Sequence, residues 1–185
     1  MKGTVCVVTG ATSGIGKAAA TALARLGATV VLVGRDRGRT EAAAAQIAAV
    51  SASPPRAEIA DLASLEQVRA LAARLAGLER IDVLINNAGL VLGERRITPD
   101  GLEHVFALNH LAPFLLTNLL LPKLTASAPA RVITVTSDAH SAARLDLSDP
   151  NLEHEWDSWR SYANSKLANI LFTRELSSVH GRRGF

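Results

Sequence analysis

The chain has 185 residues, 48% of them apolar and 20% charged, which is enough for one domain with a real core and unlike a disordered or membrane-embedded chain. Its formal charge of +3 and isoelectric point near 9.5 are mildly basic. The arginines are scattered rather than striped, so nucleic acid is not expected as a partner, and an anionic small ligand needs only local positive charge.

Apolar β-branched runs alternate with helical stretches along the chain. The first strand spans 5–9 and holds the single cysteine, Cys6. One thiol excludes a disulfide framework within the chain, and this one reads as a small buried hydrophobe. The reducing cytoplasm is the expected compartment. Strand-like residues follow Met1 too soon for a signal peptide.

The strand runs into Thr9-Gly10-Ala11-Thr12-Ser13-Gly14-Ile15-Gly16 and then a helix over 14–26, which Gly27 stops. Such a loop can be a plain turn. Between a strand and a helix it suits a dinucleotide: one glycine for the tight turn, one that lets backbone approach a pyrophosphate, one for helix packing. The helix N-terminus adds unsatisfied N–H groups and partial positive charge. Gly10, Thr12, Ser13, Gly14, Ile15 and Gly16 are therefore candidate cofactor contacts.

The second strand, 30–33, ends in Val33-Gly34-Arg35-Asp36. An acidic residue at the tip would accept hydrogen bonds from an adenosine ribose. Gly34 stands there instead, and the guanidinium of Arg35 can meet a 2′-phosphate with two parallel bonds. NADP(H) is thus favoured over NAD(H). Asp36 either pairs with Arg35 or faces a ribose, and Lys17, Arg37 and Arg39 either add positive potential or are plain surface charge.

An alanine-rich helix over 39–50, a loop over 51–55 and a third strand over 57–60 follow. The helix over 64–75 opens with Ser64 and Gln67 at capping-box spacing. Strand four, 81–85, ends in Asn86-Asn87-Ala88-Gly89, with 87–89 expected to line the adenosine side. A long helix is expected over 98–124, and its apolar stretch 111–121 is too short and interrupted to span a bilayer. Within it Asn109 stands four residues before Pro113. Proline lacks the N–H that would bond the Asn109 carbonyl, which is left open to a water at a kink. Strand five spans 131–136, and a last helix over 159–179 is stopped by Gly181. Strands that are apolar throughout, alternating with helices, predict a single doubly wound α/β domain over 1–185: a parallel, Rossmann-like sheet in three α/β/α layers.

Tyr162 and Lys166 lie four apart on the last helix and share a face. A nearby ammonium stabilises phenolate, so such a tyrosine can exchange a proton with a substrate oxygen at neutral pH. The pair alone is common by chance, and its company gives it weight. Ser137 ends strand five at the sheet edge where open α/β folds bind ligands. It can hold a carbonyl oxygen or merely cap a turn, beside which His140 reads as a polar neighbour. The five histidines and one cysteine lack metal-ligand spacing, so no metal is expected.

Thr9-Gly10-x-x-x-Gly14-Ile15-Gly16, Asp61-Leu62, Asn87-Ala88-Gly89, Asn109, Ser137 and Tyr162-x-x-x-Lys166, in that order over nearly the whole chain, resemble the short-chain dehydrogenase/reductase family. Gly34-Arg35-Asp36, Asn109-His110-Leu111, Asp138-Ala139-His140 and Ser165-Lys166-Leu167-Ala168-Asn169 resemble its retinol dehydrogenase-like branch, as does the long gap from Ser137 to Tyr162. The resemblance implies an oxidoreductase that passes a hydride between NADP(H) and a hydrophobic alcohol or carbonyl. It implies Tyr162 as general acid/base, with Lys166 favouring its phenolate and holding the nicotinamide ribose. Ser137 would orient the substrate oxygen, and Asn109 would hold a water linking Lys166 to solvent. Asp61 would meet the adenine, with Leu62 beside it. Helices 98–124 and 159–179 resemble the family's dimer helices, so a homodimer is expected.

The family pattern continues past the tyrosine-lysine helix with two more strands, a Pro-Gly segment at the nicotinamide and a mobile substrate loop. Here the sequence closes at Phe185. The expectation is a C-terminally incomplete domain: an incomplete gene product, an artificially shortened chain or a natural short form. Its fifth strand would keep an open edge, and it would bind NADP(H) weakly and turn over poorly. The competing expectation is a catalytically impaired nucleotide-binding or interaction module.

Overall fold

The structure, a computed structural model, describes residues 1–180, and the expected helix stop at Gly181 lies outside the described residues. Strand and helix alternate as β1 (Val5–Thr9), α1 (Gly14–Arg25), β2 (Thr29–Gly34), α2 (Arg37–Ala48), β3 (Arg56–Ile59), α3 (Leu65–Ala76) and β4 (Val83–Asn86). A continuous helix follows, made of a short α4 (His104–Phe106), a π-helical turn (Ala107–Leu111) and α5 (Ala112–Ala126). Then come β5 (Arg131–Thr134), a 3₁₀ turn (Asp138–Ala142) and α6 (Ser158–His180). All strand pairs are parallel, in the order β3-β2-β1-β4-β5. The order reverses between β1 and β4, which opens a crevice beyond their carboxyl ends.

Successive β1 side chains feed two cores. Cys6 and Val8 join Ala20, Ala24 and Ile47 on one face, while Val7 joins Leu71, Leu75, Leu116 and Leu120 on the other. Both faces are thus covered by helices, which is why the strand has no polar alternation. Each fully buried leucine contributes about 1.5–3 kcal/mol relative to exposure. β5 forms an edge of the sheet among the described residues, as expected, and departs from the pattern of covered strands in that Arg131 and Ile133 are exposed.

Two further expectations are corrected, the start of the long helix and the capping box. The long helix begins at His104 rather than at residue 98. Residues 98–101 read Thr-Pro-Asp-Gly, which is turn chemistry. They form a loop closed by an antiparallel bridge between Ile97 and Glu103. The helix His104–Ala126 is long and apolar enough to cross a bilayer by length and composition, although the apolar stretch alone was not. Half of its most apolar window is buried within the fold, where Leu116, Leu120 and Leu124 pack into the core. The capping box is only half formed. Ser64 Oγ accepts from Gln67 N–H at 3.4 Å, but Gln67 Oε1 accepts from Asp61 N–H at 2.9 Å instead of returning to Ser64. Other boundaries move by one or two residues.

At the amino ends of the central strands β1 and β4, Asp82 is only 8% exposed, and its Oδ2 accepts from Val5 N–H at 2.7 Å. Arg80 grips the same carboxylate through Nε and Nη2. Burial pushes the carboxyl up, but the Arg80 and Val5 hydrogen bonds outweigh it and hold it below the usual carboxylate range. A carboxyl held low in the folded state contributes stability above its unfolded pKa, and that stability is lost as pH falls through the folded value. Asp82→Asn is expected to lower the melting temperature at about pH 7, with the gap to wild type closing below about pH 4. Thermal denaturation across that range checks it; a gap independent of pH would contradict the assignment.

Candidate functional site

A cavity of about 790 Å³ opens over the carboxyl ends of the strands. Its wall brings together Gly10, Thr12, Ser13, Gly14, Ile15 and Gly16 after β1, and Arg35 after β2. Asp61 and Leu62 join after β3, Asn87, Ala88 and Gly89 after β4, Ser137 after β5, and Tyr162 and Lys166 from α6. Asn109 is not in the wall; it lies one layer behind, 1% exposed.

The turns after β1 and β4 are laced together. Asn87 Nδ2 donates to Thr9 O at 2.9 Å and Gly10 O at 3.3 Å. Thr9 Oγ1 accepts from the N–H groups of Asn87 and Ala88, each at 3.0 Å. A Cβ on Gly16 would stand 2.3 Å from Asn87 Nδ2 and 2.5 Å from Gly10 O, so only glycine fits there. At the start of α1, the Ser13 side chain makes no cap bond. The first-turn N–H groups, which have no partner within the helix, therefore lie at the cavity, where the helix dipole also favours an anion. A dinucleotide pyrophosphate fits this cradle.

The end of the cavity beside β2 and β3 sorts the sequence's open alternatives. Arg35 and Arg39 line the cavity. Lys17 turns to Gln46 Oε1 at 2.5 Å, and Arg37 pairs with Glu41 at 3.1 Å on the surface. Asp36 caps α2, its Oδ1 accepting from Arg39 N–H at 2.7 Å. Asp61 is built into the turn before α3, its Oδ1 accepting from Ala63 N–H at 3.0 Å.

At the other end, Lys166 Nζ lies 5.3 Å from the Tyr162 ring centroid. Lys166 is 4% exposed, and burial pushes its pKa below the ordinary lysine value. Its Nζ donates to Val135 O at 3.2 Å. Ser137 both lines the cavity and caps the 3₁₀ turn, accepting from Ala139 N–H at 3.3 Å. His140 Nδ1 meets Ser137 O at 2.8 Å, beside that turn as expected. Two hydroxyls and a buried ammonium on one cavity can bind an oxygen and move a proton to or from it.

The Asn109 carbonyl does escape the helix ladder at Pro113, and it accepts from Asn169 Nδ2 at 3.0 Å. The expected kink is a π turn, closed by Ala112 N–H on Ala107 O. The Asn109 side chain accepts from Leu90 N–H at 2.9 Å and donates to Leu90 O at 3.0 Å and Ser165 Oγ at 3.1 Å. Asn169 Oδ1 also meets His110 Nδ1 at 3.0 Å. Burial lowers the His110 pKa, against the smaller opposing effect of that bond. Ser165 and Asn169 were not read as site residues from the sequence. With Tyr162 and Lys166 they make a polar stripe at helical spacing, which the sequence does display.

A parallel sheet with a glycine cradle at its switch point defines a dinucleotide-binding α/β domain. The short chain dehydrogenase model matches residues 4–184, and the chain belongs to the short-chain dehydrogenase/reductase family of oxidoreductases. Dehydrogenase/reductase SDR family member 13 of Bos taurus is 50% identical over 184 residues, covering 96% of this chain and 48% of the relative. Retinol dehydrogenase 13 of Homo sapiens is 46% identical over 178 residues, covering 95% of this chain and 54% of the relative. The chain thus spans about half the length of these curated relatives. A short-chain dehydrogenase from Sphingobium yanoikuyae in complex with NADPH superposes with a TM-score of 0.81 at 28% identity, covering 98% of this chain and 67% of that one.

The lacing of the turns has a direct test. Gly16→Ala is expected to destabilise the fold by about 1–3 kcal/mol, as overpacking does, and to weaken NADPH binding in a fluorescence titration. An unchanged melting curve would show that the turns approach less closely than described.

Proposed function

We propose that this chain is the cofactor-binding and proton-transfer part of an NADP(H)-dependent oxidoreductase that interconverts an alcohol and a carbonyl on a hydrophobic substrate. The observation that carries the reading is the convergence of Ser137, Tyr162 and Lys166 on the cavity that also holds the glycine cradle. The nicotinamide cofactor, when bound, supplies or accepts the hydride. Tyr162 gives a proton to the substrate oxygen in reduction and takes it back in oxidation. The Lys166 ammonium stabilises the phenolate that alternates with the phenol, and from the cavity wall it would hold the nicotinamide ribose. Ser137 orients the substrate oxygen. Asn109 acts from behind, through Ser165 and Asn169 of α6 and through Leu90. The exposed Val91 on the cavity wall and the exposed Trp159 beside Tyr162 support an apolar substrate.

Arg35 and Arg39 support NADP(H) over NAD(H), and the NADPH-bound relative supports the same choice. Exposed Phe114 and Leu119 of α5 and Leu171 of α6 support a homodimer through these helices. The second reading is a nucleotide-binding module without turnover.

Tyr162→Phe is expected to abolish carbonyl-dependent NADPH oxidation while leaving NADPH binding within about twofold. Wild-type binding with no turnover on any carbonyl would favour the module instead. Arg35→Ala is expected to weaken NADPH binding about tenfold or more and to leave NADH binding nearly unchanged, as loss of a charge-assisted bond requires. Phe114→Arg is expected to turn a dimer into a monomer in sedimentation; a wild type that sediments as a monomer removes the dimer from the proposal.

A further inference from the structure

We propose that Glu103 is the positioning residue for Tyr162, its buried carboxylate fixing the start of α6 against the helix that carries Asn109. The proposal rests on the reading of Tyr162 as the proton-transfer group. Glu103 is 1% exposed, and three donors from three segments converge on it. Phe106 N–H reaches Oε2 at 2.7 Å, Ser161 Oγ reaches Oε2 at 2.8 Å, and Trp156 Nε1 reaches Oε1 at 3.2 Å. Among the described residues no cation forms an ion pair with it.

A helix cap alone does not require this arrangement. Serine or aspartate would satisfy Phe106 N–H from the same position. Burying a carboxylate without a cation is costly unless its oxygens are hydrogen-bonded. Here the two remaining bonds go to the catalytic helix and its approach. Ser161 is fully buried and directly precedes Tyr162. Trp156 lies two residues before α6. The backbone N–H of Glu103 donates to Asn151 Oδ1 at 3.0 Å, which fastens the same connection. The adjoining Leu152 is buried with φ 50, a conformation a leucine keeps only where its surroundings hold it.

Two ties therefore join α6 to the central helix. Ser165 and Asn169 bind Asn109 on one side of Tyr162, and Ser161 binds Glu103 on the other. The first tie sets the depth of Lys166. The second sets the approach angle of the tyrosine. A misplacement of about 1 Å in such a group costs about a hundredfold in rate. Glutamine cannot replace the glutamate without loss. All three partners are donors, so one of them would face the new amide NH₂.

The test uses the fact that Tyr162 is the only tyrosine in the chain. Fluorotyrosine incorporation then gives one fluorine resonance that reports this position alone. Glu103→Gln and Ser161→Ala are each expected to shift that resonance in the folded protein. Each is also expected to lower kcat about tenfold or more, with KM for NADPH within about twofold and effects less than additive in the double variant. Ser161→Ala keeps the helix cap, so it separates positioning from folding. A wild-type resonance and kcat in Ser161→Ala, with only a lower Tm in Glu103→Gln, would overturn the proposal and leave Glu103 a cap. If the wild type turns over no carbonyl, the functional reading fails by itself. The resonance then decides the tie: a shift in both variants supports it, and no shift in Ser161→Ala overturns it.

Discussion

The site depends on how closely the turn after β1 approaches the turn after β4. Asn87 Nδ2 sits between them, bonded to the carbonyls of Thr9 and Gly10, and Thr9 Oγ1 answers with two bonds to the β4 turn. Neither turn is free to move alone. Gly16 closes the third side, since any larger residue would strike the amide or the Gly10 carbonyl. The spacing of the two turns is therefore set by bonds from two short side chains, Thr9 and Asn87, to backbone groups, which leaves little freedom in the floor of the cavity.

A second rigid part orients the chemistry. The helix from His104 to Ala126 carries Asn109 in a π turn, and α6 carries Tyr162 and Lys166. Side-chain amides join the two: Asn169 binds the carbonyl that the ladder releases, and Asn109 binds Ser165 and Leu90. Lys166 is buried at that junction, and burial there is what lowers its pKa. An ammonium so placed has little water around it, so its field acts on the groups at the cavity with less screening.

Much of this was legible in the sequence for physical reasons. Apolar runs without alternation signal strands covered on both faces, and β1, β2 and β4 obey that rule. The glycine loop and Tyr162-x-x-x-Lys166 are constraints on backbone approach and helical spacing, which are local and readable. What was not legible depends on partners distant in sequence. The Asn109 carbonyl is released locally by Pro113, but its acceptance of Asn169 bridges 60 residues. Nearer in sequence, Gln67 serves Asp61 rather than Ser64 because the turn that Ser64 N–H closes on Asp61 O brings the Asp61 N–H to it. The late start of the long helix was readable in hindsight, since Thr98-Pro99-Asp100-Gly101 competes with helix. The edge position of β5 was expected from the sequence, and its burial pattern follows from it: Arg131 and Ile133 are exposed.

The π turn has a consequence for how this helix tolerates change in length. A π turn is an α-helix holding one extra residue. That residue rotates everything after it by about 100° relative to an uninterrupted helix. Leu116, Leu120 and Leu124 face the core only because of that rotation. Deleting one residue between 107 and 111 would mend the ladder and leave the leucines facing the sheet, whereas straightening the turn at full length would turn them away. The interruption that frees the Asn109 carbonyl thus also keeps the register of α5. A lineage could therefore lose the turn by a one-residue deletion with the core intact, but could not straighten it at unchanged length without repacking Leu116, Leu120 and Leu124.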